Sequence, residues 1–270
     1  MESPHSPNDT PQEDGLRGWI PSSDPQDLVG LVLAGRFEVE ALIAEGGMAW
    51  VYRCIDRHLE YRVAVKVFRA DKPESRQRFA LEAEVLARLS HAGLVKALDY
   101  GQARVAVNDE RSFIALELLR GESLGAQLAR RRRLPWREVV ELGIQIATAV
   151  QALHDAGVIH RDLKPHNLVA LAGPKVCVKV IDLGLCKLTD RYTRSFDRAP
   201  SRRLTDLDLG PPGTPGYLPP EAAERPADER FDAYALGVTL YQLLTGTLPQ
   251  AVGFAAIEDV PEDLPRLTLA

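Results

Sequence analysis

The chain has 270 residues, 45% of them hydrophobic, so it can bury the core of one large domain or of a two-lobed one. Its 38 acidic and 33 basic residues give a formal charge of -5, which offers no general attraction for nucleic acid or for an anionic membrane. The N-terminus lacks the basic and apolar regions of a secretory signal, and no segment is apolar enough to span a bilayer, so we expect a cytoplasmic protein without a membrane segment.

Residues 1–35 are rich in Pro, Ser, Asp and Gly and lack sustained hydrophobic periodicity. This composition favours a segment that cannot bury enough apolar surface to order itself. We therefore predict a flexible leader over 1–35 and a folded domain over 36–270.

The folded part begins with β-branched and aromatic runs separated by short breaks, which predict antiparallel strands. These runs are "RFEVEALIA", "WVYRCIDR", "YRVAVKVF", "LVKALDYG" and "SFIALELL". One helix interrupts them, and in it Phe79, Glu82, Leu86 and Leu89 recur at steps of three and four on one face. Glu82 thus points inward, and an inward carboxylate needs a cation. We predict a five-stranded antiparallel lobe with one helix over about 36–117.

The second half is mainly helical and covers about 118–270. One helix begins near Pro135 and ends before Gly157, and another ends at Gly246. His154 is expected on the surface of the first of these helices. The fold class is therefore α+β, with a small β-rich lobe, a larger helical lobe and a cleft between them.

The stretch "IAEGGMAWVY" places Gly46 and Gly47 between two predicted strands, where the turn can fold over a phosphate. Ala44 and Ala49 stand where further glycines would complete a phosphate-binding pattern. Alanine disfavours positive φ, but it costs little if these sites have ordinary strand geometry.

The stretch "HRDLKPHN" brings an acid, a cation and an amide together in one loop, as Asp162, Lys164 and Asn167. "DLG" follows, with Asp182 at the end of an apolar strand. An acid that orients a hydroxyl, a lysine that neutralises a phosphoryl group and an Asn/Asp pair that binds Mg²⁺ form one set for phosphoryl transfer.

These motifs, with "VAVK" before them and "GTPGYLPPE" after them, resemble the eukaryotic-type Ser/Thr protein kinases, and the stretches "EGGM" and "LGVTLYQLLTG" look most like those of the bacterial branch. The resemblance runs from about Arg36 to Pro249, with the motifs in the family's order. It implies a bilobal kinase fold, ATP and Mg²⁺ as cofactors, and a protein with serine or threonine hydroxyls as substrate.

The resemblance also implies roles for single residues. Lys66 of "VAVK" matches the lysine that binds the α- and β-phosphates, and Glu82 matches its partner. Asp162 corresponds to the catalytic base, and Asn167 and Asp182 to the Mg²⁺ ligands.

Further matches concern the substrate hydroxyl and the nucleotide. Lys164 and Thr214 resemble the pair typical of kinases that act on hydroxyl amino acids other than tyrosine. The adenine site would be formed by backbone groups of Glu117 and Leu119 and by the side chains of Val51 and Ala64. The family's glycine loop maps onto Ala44, Gly46 and Ala49, with Gly47 beside them.

The segment from Asp182 to Glu221 corresponds to the activation segment. Arg161 would pair with a phosphorylated residue there, for which Thr205 is the preferred candidate, and an enzyme that needs no such phosphorylation is the alternative.

After Pro249 only about twenty residues follow, where the family continues through several helices. We therefore expect a shortened C-terminal lobe with an exposed apolar face and a possible partner to cover it. The alternative to an active kinase is a weakly active or inactive, pseudokinase-like binding module.

Overall fold

The N-terminal lobe is one antiparallel sheet with a helix packed on it. The computed structural model describes residues 24–70, 72–107, 109–195 and 213–249. The strands are β1 (Val32–Leu33), β2 (Phe37–Glu45), β3 (Ala49–Asp56), β4 (Tyr61–Phe68), β5 (Ala97–Ala106) and β6 (Asp109–Glu117). Their order in the sheet is β1-β2-β3-β4-β6-β5, so β4 lies in the interior between β3 and β6.

The sheet has one strand more than the five that the sequence predicts, because β1 pairs with β2 through Leu33 and Phe37. A short 3-10 helix, Pro25–Leu28, precedes β1. Leu28 and Leu33 are each 1% exposed and pack with Phe37 in a core of the N-terminal lobe. The Tyr52 hydroxyl donates to the Pro25 carbonyl at 2.8 Å. The predicted leader is therefore wrong for residues 24–35, which belong to the lobe.

Helix α1 (Pro73–Arg88) packs its apolar side against the sheet and places Glu82 inside, as the sequence predicts. Pro73 begins the helix at a position that needs no N–H. Leu81 and Val85 are buried in the main core, and Glu82 between them is only 1% exposed. A buried carboxylate at this position requires a cation from the sheet.

The segment that follows α1 is hydrogen-bonded to strand β10 of the C-terminal lobe. Val95 N–H donates to the Val180 carbonyl at 3.0 Å, and Val180 N–H donates to the Gly93 carbonyl at 2.8 Å. Val180 ends strand β10, two residues before Asp182. These backbone bonds fix the end of β10 against the base of the N-terminal lobe.

The C-terminal lobe combines helices with short strand pairs. Its helices are α2 (Leu124–Arg131), α3 (Trp136–Asp155), α4 (Asp190–Ser195) and α5 (Glu229–Thr245). Its strands are β7 (Gly121–Ser123), β8 (Val158–Ile159), β9 (Leu168–Leu171), β10 (Val178–Val180) and β11 (Lys187–Leu188). They form a three-stranded sheet, β10-β9-β7, and a pair, β11-β8.

The predicted ends of α3 and α5 are confirmed. Pro135 precedes α3, and Gly157 follows it with φ 78°. Gly246 ends α5 with φ 84°. A Cβ at Gly157 would lie 2.2 Å from the Tyr192 nitrogen and one at Gly246 would lie 2.5 Å from the Arg132 oxygen, so only glycine fits either turn.

Within the described ranges, no helix is long and apolar enough to cross a bilayer. The chain after Pro249, on which the prediction of a shortened lobe with a partner rests, lies outside the described residues.

Because Leu28 is buried in the core of the lobe, Leu28→Ala will leave a cavity there and lower the free energy of unfolding by about 2–5 kcal/mol. Leu31→Ala is the matched control, since Leu31 is 36% exposed. Urea unfolding of both variants measures the difference. If both variants lose the same small amount of free energy of unfolding, residues 24–35 do not pack in the lobe.

Candidate functional site

Lys66 lies at the centre of a three-membered charge cluster. Its Nζ donates to Oε1 and Oε2 of Glu82 at 2.8 and 2.6 Å, and to Oδ1 of Asp182 at 2.8 Å. The side chains of Lys66 and Glu82 are 12% and 1% exposed, so this ion pair is largely shielded from water. The predicted pairing of Lys66 with Glu82 is therefore present in the structure.

Strand register shows which residues share the face of the sheet that carries Lys66. Lys66 pairs with Val51 on β3 and with Ile114 on β6. Directly paired residues of antiparallel strands point to the same face, and so do residues two apart in one strand. Val51, Ala64 and Lys66 thus share one face of the sheet.

Burial and charge act in opposite directions on this cluster. Burial by itself would lower the pKa of Lys66, but the carboxylates of Asp182 and Glu82 outweigh it and raise that pKa. Burial opposes the charge on Asp182 too, yet Lys66 and the Gly184 N–H hold its pKa at about 2. Burial raises the pKa of Glu82. Lys66 and Asp182 are therefore both charged at neutral pH.

A second network surrounds Asp162 in the loop between β8 and β9. Thr214 Oγ1 donates to Asp162 Oδ1 at 2.7 Å, and Lys164 Nζ lies 2.9 Å from Asp162 Oδ2. Lys164 Nζ also donates to Thr214 Oγ1 at 2.6 Å. The structure thus brings Asp162, Lys164 and Thr214 together, although Thr214 is 52 positions from Asp162 in the sequence.

Asn167 completes this network and fixes its own orientation. Its Nδ2 donates to the Asp162 carbonyl at 2.8 Å and to Asp162 Oδ2 at 3.0 Å. Both of these oxygens are acceptors, so the amide nitrogen must face them, and the amide oxygen is left for another partner. The Asn167 carbonyl accepts from Ile181 N–H at 2.9 Å, which places Asn167 beside the residue that precedes Asp182.

The donor set of Asn167 and Asp182 fits a magnesium ion. An amide oxygen and a carboxylate are hard oxygen ligands of the kind that Mg²⁺ prefers. The hydrogen bonds to the Asp182 carboxylate, from Lys66 and from Gly184 N–H, both go to Oδ1. Oδ2 of Asp182 and the amide oxygen of Asn167 are therefore the two groups that could bind the ion.

Asp232 on α5 is a buried anchor that the sequence reasoning missed. It is 0% exposed, and its carboxylate accepts from the backbone N–H groups of His160 and Arg161, each at 2.8 Å. His154 Nε2 lies 2.7 Å from its Oδ2. His154 is 7% exposed, so its expected place on the helix surface is wrong. The sequence does contain a sign of this role, because Asp232 is the only acid in the otherwise apolar stretch "FDAYALGV" and a buried acid needs hydrogen-bond donors.

Gly46 and Gly47 lie in the turn between β2 and β3, as the sequence predicts. Gly46 N–H donates to the Ala49 carbonyl at 2.9 Å, which closes the turn. Ala44 lies in β2 and Ala49 in β3, and neither has a positive φ. Alanine at these two positions therefore causes no backbone strain.

The residues predicted to form the adenine site lie on β3, on β4, at the end of β6 and in the link that follows β6. Ala64 on β4 pairs with Leu116 on β6, and Glu117 is the last residue of that strand. Leu119 follows in the link between β6 and β7 and packs, like Val51, against the main core. The side chains of Val51, Ala64 and Leu119 thus adjoin one hydrophobic cluster.

Arg161 contacts the chain just after Asp182, since its Nε donates to the Leu185 carbonyl at 2.7 Å. Thr205, predicted as the phosphorylated residue, lies outside the described residues. The pairing of Arg161 with a phosphate therefore stays a prediction.

Comparison with known proteins gives a consistent result. A family model described as protein kinase domain matches residues 37–257. Serine/threonine-protein kinase pkn3 of Myxococcus xanthus is 40% identical over 242 residues, which are 86% of this chain and 42% of that protein. Serine/threonine-protein kinase PknA of Mycobacterium tuberculosis is 35% identical over 88% of this chain and 54% of its own length.

The probable serine/threonine-protein kinase PknB of Corynebacterium glutamicum is 35% identical over 81% of this chain and 32% of its own length. The chain thus spans between about a third and about half of the length of these relatives.

Asp232→Asn will lower the free energy of unfolding by about 1–3 kcal/mol, because its amide nitrogen replaces one of the two carboxylate oxygens and cannot accept from the backbone N–H that this oxygen serves. Asp155→Asn is the matched control, since Asp155 is exposed on the last turn of α3. Urea unfolding measures both. A loss no larger than that of the control would contradict the anchoring role of Asp232.

Lys66→Met will raise the pKa of Asp182, because Lys66 is the charge that holds it at about 2. We expect the carboxylate to titrate about one to three pH units higher in the variant. The stability that ionised Asp182 contributes is present above its ordinary value of 3.8 and is lost in the wild type as the pH falls toward 2. In the variant this contribution disappears.

Carbon-13 NMR of the Asp182 carboxyl group in the wild type and in the variant measures this change. Lys175→Met serves as control, since Lys175 is exposed and belongs to a loop of the other lobe. An unchanged Asp182 titration in Lys66→Met would show that Lys66 does not set this pKa.

Proposed function

Because the chain belongs to the protein kinase family, we propose that it transfers the γ-phosphoryl group of ATP to serine or threonine hydroxyls of a protein substrate. The observation that carries the proposal is the network in which Asp162 contacts Lys164, Thr214 and Asn167 at 2.7–3.0 Å. An ordered acid beside a lysine is the arrangement that direct phosphoryl transfer needs.

Asp162 would act as the general base. Each carboxylate oxygen has two lone pairs, so Oδ1 can accept from a substrate hydroxyl in addition to Thr214 Oγ1. Thr214 and Asn167 hold the carboxylate in one orientation, and Lys164 would offer its positive charge to the phosphoryl group as it moves. This arrangement supports serine and threonine as the acceptor residues.

Lys66 would bind the α- and β-phosphates, and Glu82 would hold it in place. Because Glu82 reaches Lys66 with both carboxylate oxygens, the ammonium is positioned before any nucleotide arrives. Such preorganisation avoids a cost of ordering during the reaction. Gly46 and Gly47 would cover the phosphates, with Ala44 in the adjoining strand.

Mg²⁺ would be held by Asn167 and Asp182 and would neutralise the charge of the phosphates. The purine would lie between Val51 and Ala64 on one side and the C-terminal lobe on the other. Backbone groups of Glu117 and Leu119 would bind its edge.

The structure favours catalysis over the alternative of a noncatalytic binding module. The ion pair between Lys66 and Glu82 is formed, and Asp162 contacts Asn167 and Thr214. A module that acts only through its surface would need neither arrangement.

Asp162→Asn will lower the rate of phosphoryl transfer by about 10²–10⁴-fold, because the amide cannot accept the proton of the attacking hydroxyl. The assay combines the purified chain, labelled ATP, Mg²⁺ and a generic basic protein as acceptor. Asp155→Asn, an exposed change of the same type, should keep the wild-type rate. Equal labelling by the wild type and by Asp162→Asn would refute the proposed phosphoryl transfer.

A further inference from the structure

Lys179 connects the end of β6, where the adenine edge is proposed to bind, to the strand that leads to Asp182. It lies on β10, and its Nζ donates to Glu117 Oε1 at 2.5 Å and to the Leu94 carbonyl at 3.2 Å. These two partners are 62 and 85 positions from Lys179 in the sequence. Lys179 is not among the residues that the sequence predicts for the site.

The Glu117 carboxylate is held from two directions. Its Oε1 accepts from the Lys96 N–H at 2.8 Å as well as from Lys179. The backbone N–H of Glu117 donates to the Lys96 carbonyl at 3.0 Å. Because that N–H is already engaged, the backbone group through which Glu117 can contribute to the adenine edge is its carbonyl. The contacts of the Glu117 side chain therefore restrict the position of this carbonyl.

The pair of Lys179 and Glu117 differs from a solvated surface ion pair, which contributes little to stability. The two side chains are 15% and 31% exposed, so both are mostly shielded from water. The ammonium has a second acceptor in the Leu94 carbonyl, and the carboxylate has a second donor in the Lys96 N–H. Hydrogen bonds of charged groups are stronger than neutral ones, and a network of them restricts motion more than a single pair does.

The strand that carries Lys179 also places Asp182. Val180, the next residue, forms backbone hydrogen bonds with Gly93 and Val95, and Asp182 follows two residues later. Asp182 is a proposed Mg²⁺ ligand and so belongs to the phosphate end of the nucleotide. Lys179 therefore ties the group proposed for the adenine end to the strand that positions the group proposed for the phosphate end.

We propose that Lys179 is a positioning residue for the adenine edge, because through the Glu117 side chain it holds the Glu117 carbonyl where that oxygen accepts from the 6-amino group of adenine. The inference rests on the proposed function, since it requires that the cleft binds ATP. Adenine presents the amino group as a donor, whereas a purine with an oxygen at position 6 presents an acceptor there. A carbonyl held in place should therefore favour adenine over hypoxanthine.

The test is calorimetric titration of the purified chain with ADP and with inosine diphosphate (IDP), each with excess Mg²⁺. The two probes share ribose and phosphates and differ at one edge of the purine, so the ratio of their affinities reports on the adenine edge. The test variant is Lys179→Met, which removes the charge, and Lys179→Arg is the conservative variant. The matched control is Lys175→Met, because Lys175 is exposed in the loop that precedes β10.

We expect the wild type and Lys175→Met to prefer ADP over IDP by the same factor. In Lys179→Met the affinity for ADP should fall about three- to tenfold, as for the loss of one hydrogen bond, while the affinity for IDP stays within about twofold. Lys179→Arg keeps a charged donor and should retain the preference for ADP.

Kinetics of the phosphorylation assay give a second measurement. In Lys179→Met the KM for ATP should rise by about the factor that the ADP affinity loses, with kcat unchanged, because the backbone bonds of Val180 keep Asp182 in place. IDP binding at wild-type affinity shows that the variant is folded. If Lys179→Met shows no cooperative thermal melt, Lys179→Gln, which also removes the charge, takes its place in the same comparison.

The proposal is overturned if Lys179→Met keeps the wild-type preference for ADP, or if its affinities for ADP and IDP fall by the same factor, as a merely structural role would require. It is overturned as well if the wild type does not prefer ADP over IDP. A wild type that binds no ADP at all would contradict the proposed function itself. ADP binding by every variant with an unchanged ratio would contradict only the role of Lys179.

Discussion

One buried ammonium group joins the three parts of this molecule that would act on a nucleotide. Lys66 comes from the interior of the N-terminal sheet, Glu82 from the helix packed on it, and Asp182 from the end of a strand in the other lobe. Removing Lys66 would leave the carboxylate of Glu82, which is 1% exposed, without its cation in a poorly hydrated place, which is costly. The ion pairs therefore tie the position of α1 and the relative placement of the lobes to a single point.

In the C-terminal lobe, a buried carboxylate fixes the backbone of the loop that carries Asp162. Asp232 accepts from two consecutive backbone N–H groups, and these precede Asp162 directly. Arg161 has φ 65°, a left-handed conformation that is unfavourable for residues other than glycine. Asp182 has the same φ and is held by Lys66 and Gly184. Both strained residues are thus stabilised by charged hydrogen bonds, and both lie beside the atoms proposed to react.

The sequence predicted those parts of the site whose signal is local. The inward face of α1 follows from a period of three and four, so the pattern of apolar residues is enough to place Glu82 inside. Gly157 and Gly246 could be placed after helices because the chain there needs a positive φ. The glycine turn could be placed between two strands, but whether Ala44 and Ala49 were strained could only be decided from their backbone angles.

The predictions that the structure contradicts, for residues 24–35 and for His154, are wrong for the same reason. Leu28 and Leu33 lie in the short apolar run "LVGLVLA", which is too short to show a sustained period, and their burial depends on Phe37 of β2, which the run itself does not reveal. His154 looked like a surface residue because its partner, Asp232, lies 78 positions away on another helix. Burial by a distant element leaves no periodicity in the sequence.

By itself, the sequence determined which chemical groups are available and in what order: a lysine in a strand, an acid on a helix face, an acid, lysine and amide in one loop, and an acid after an apolar strand. Only the tertiary structure decided which of them touch. Asp182 reaches Lys66 across 116 positions and Thr214 reaches Asp162 across 52, because packing of strands and helices brings together residues that no local pattern relates.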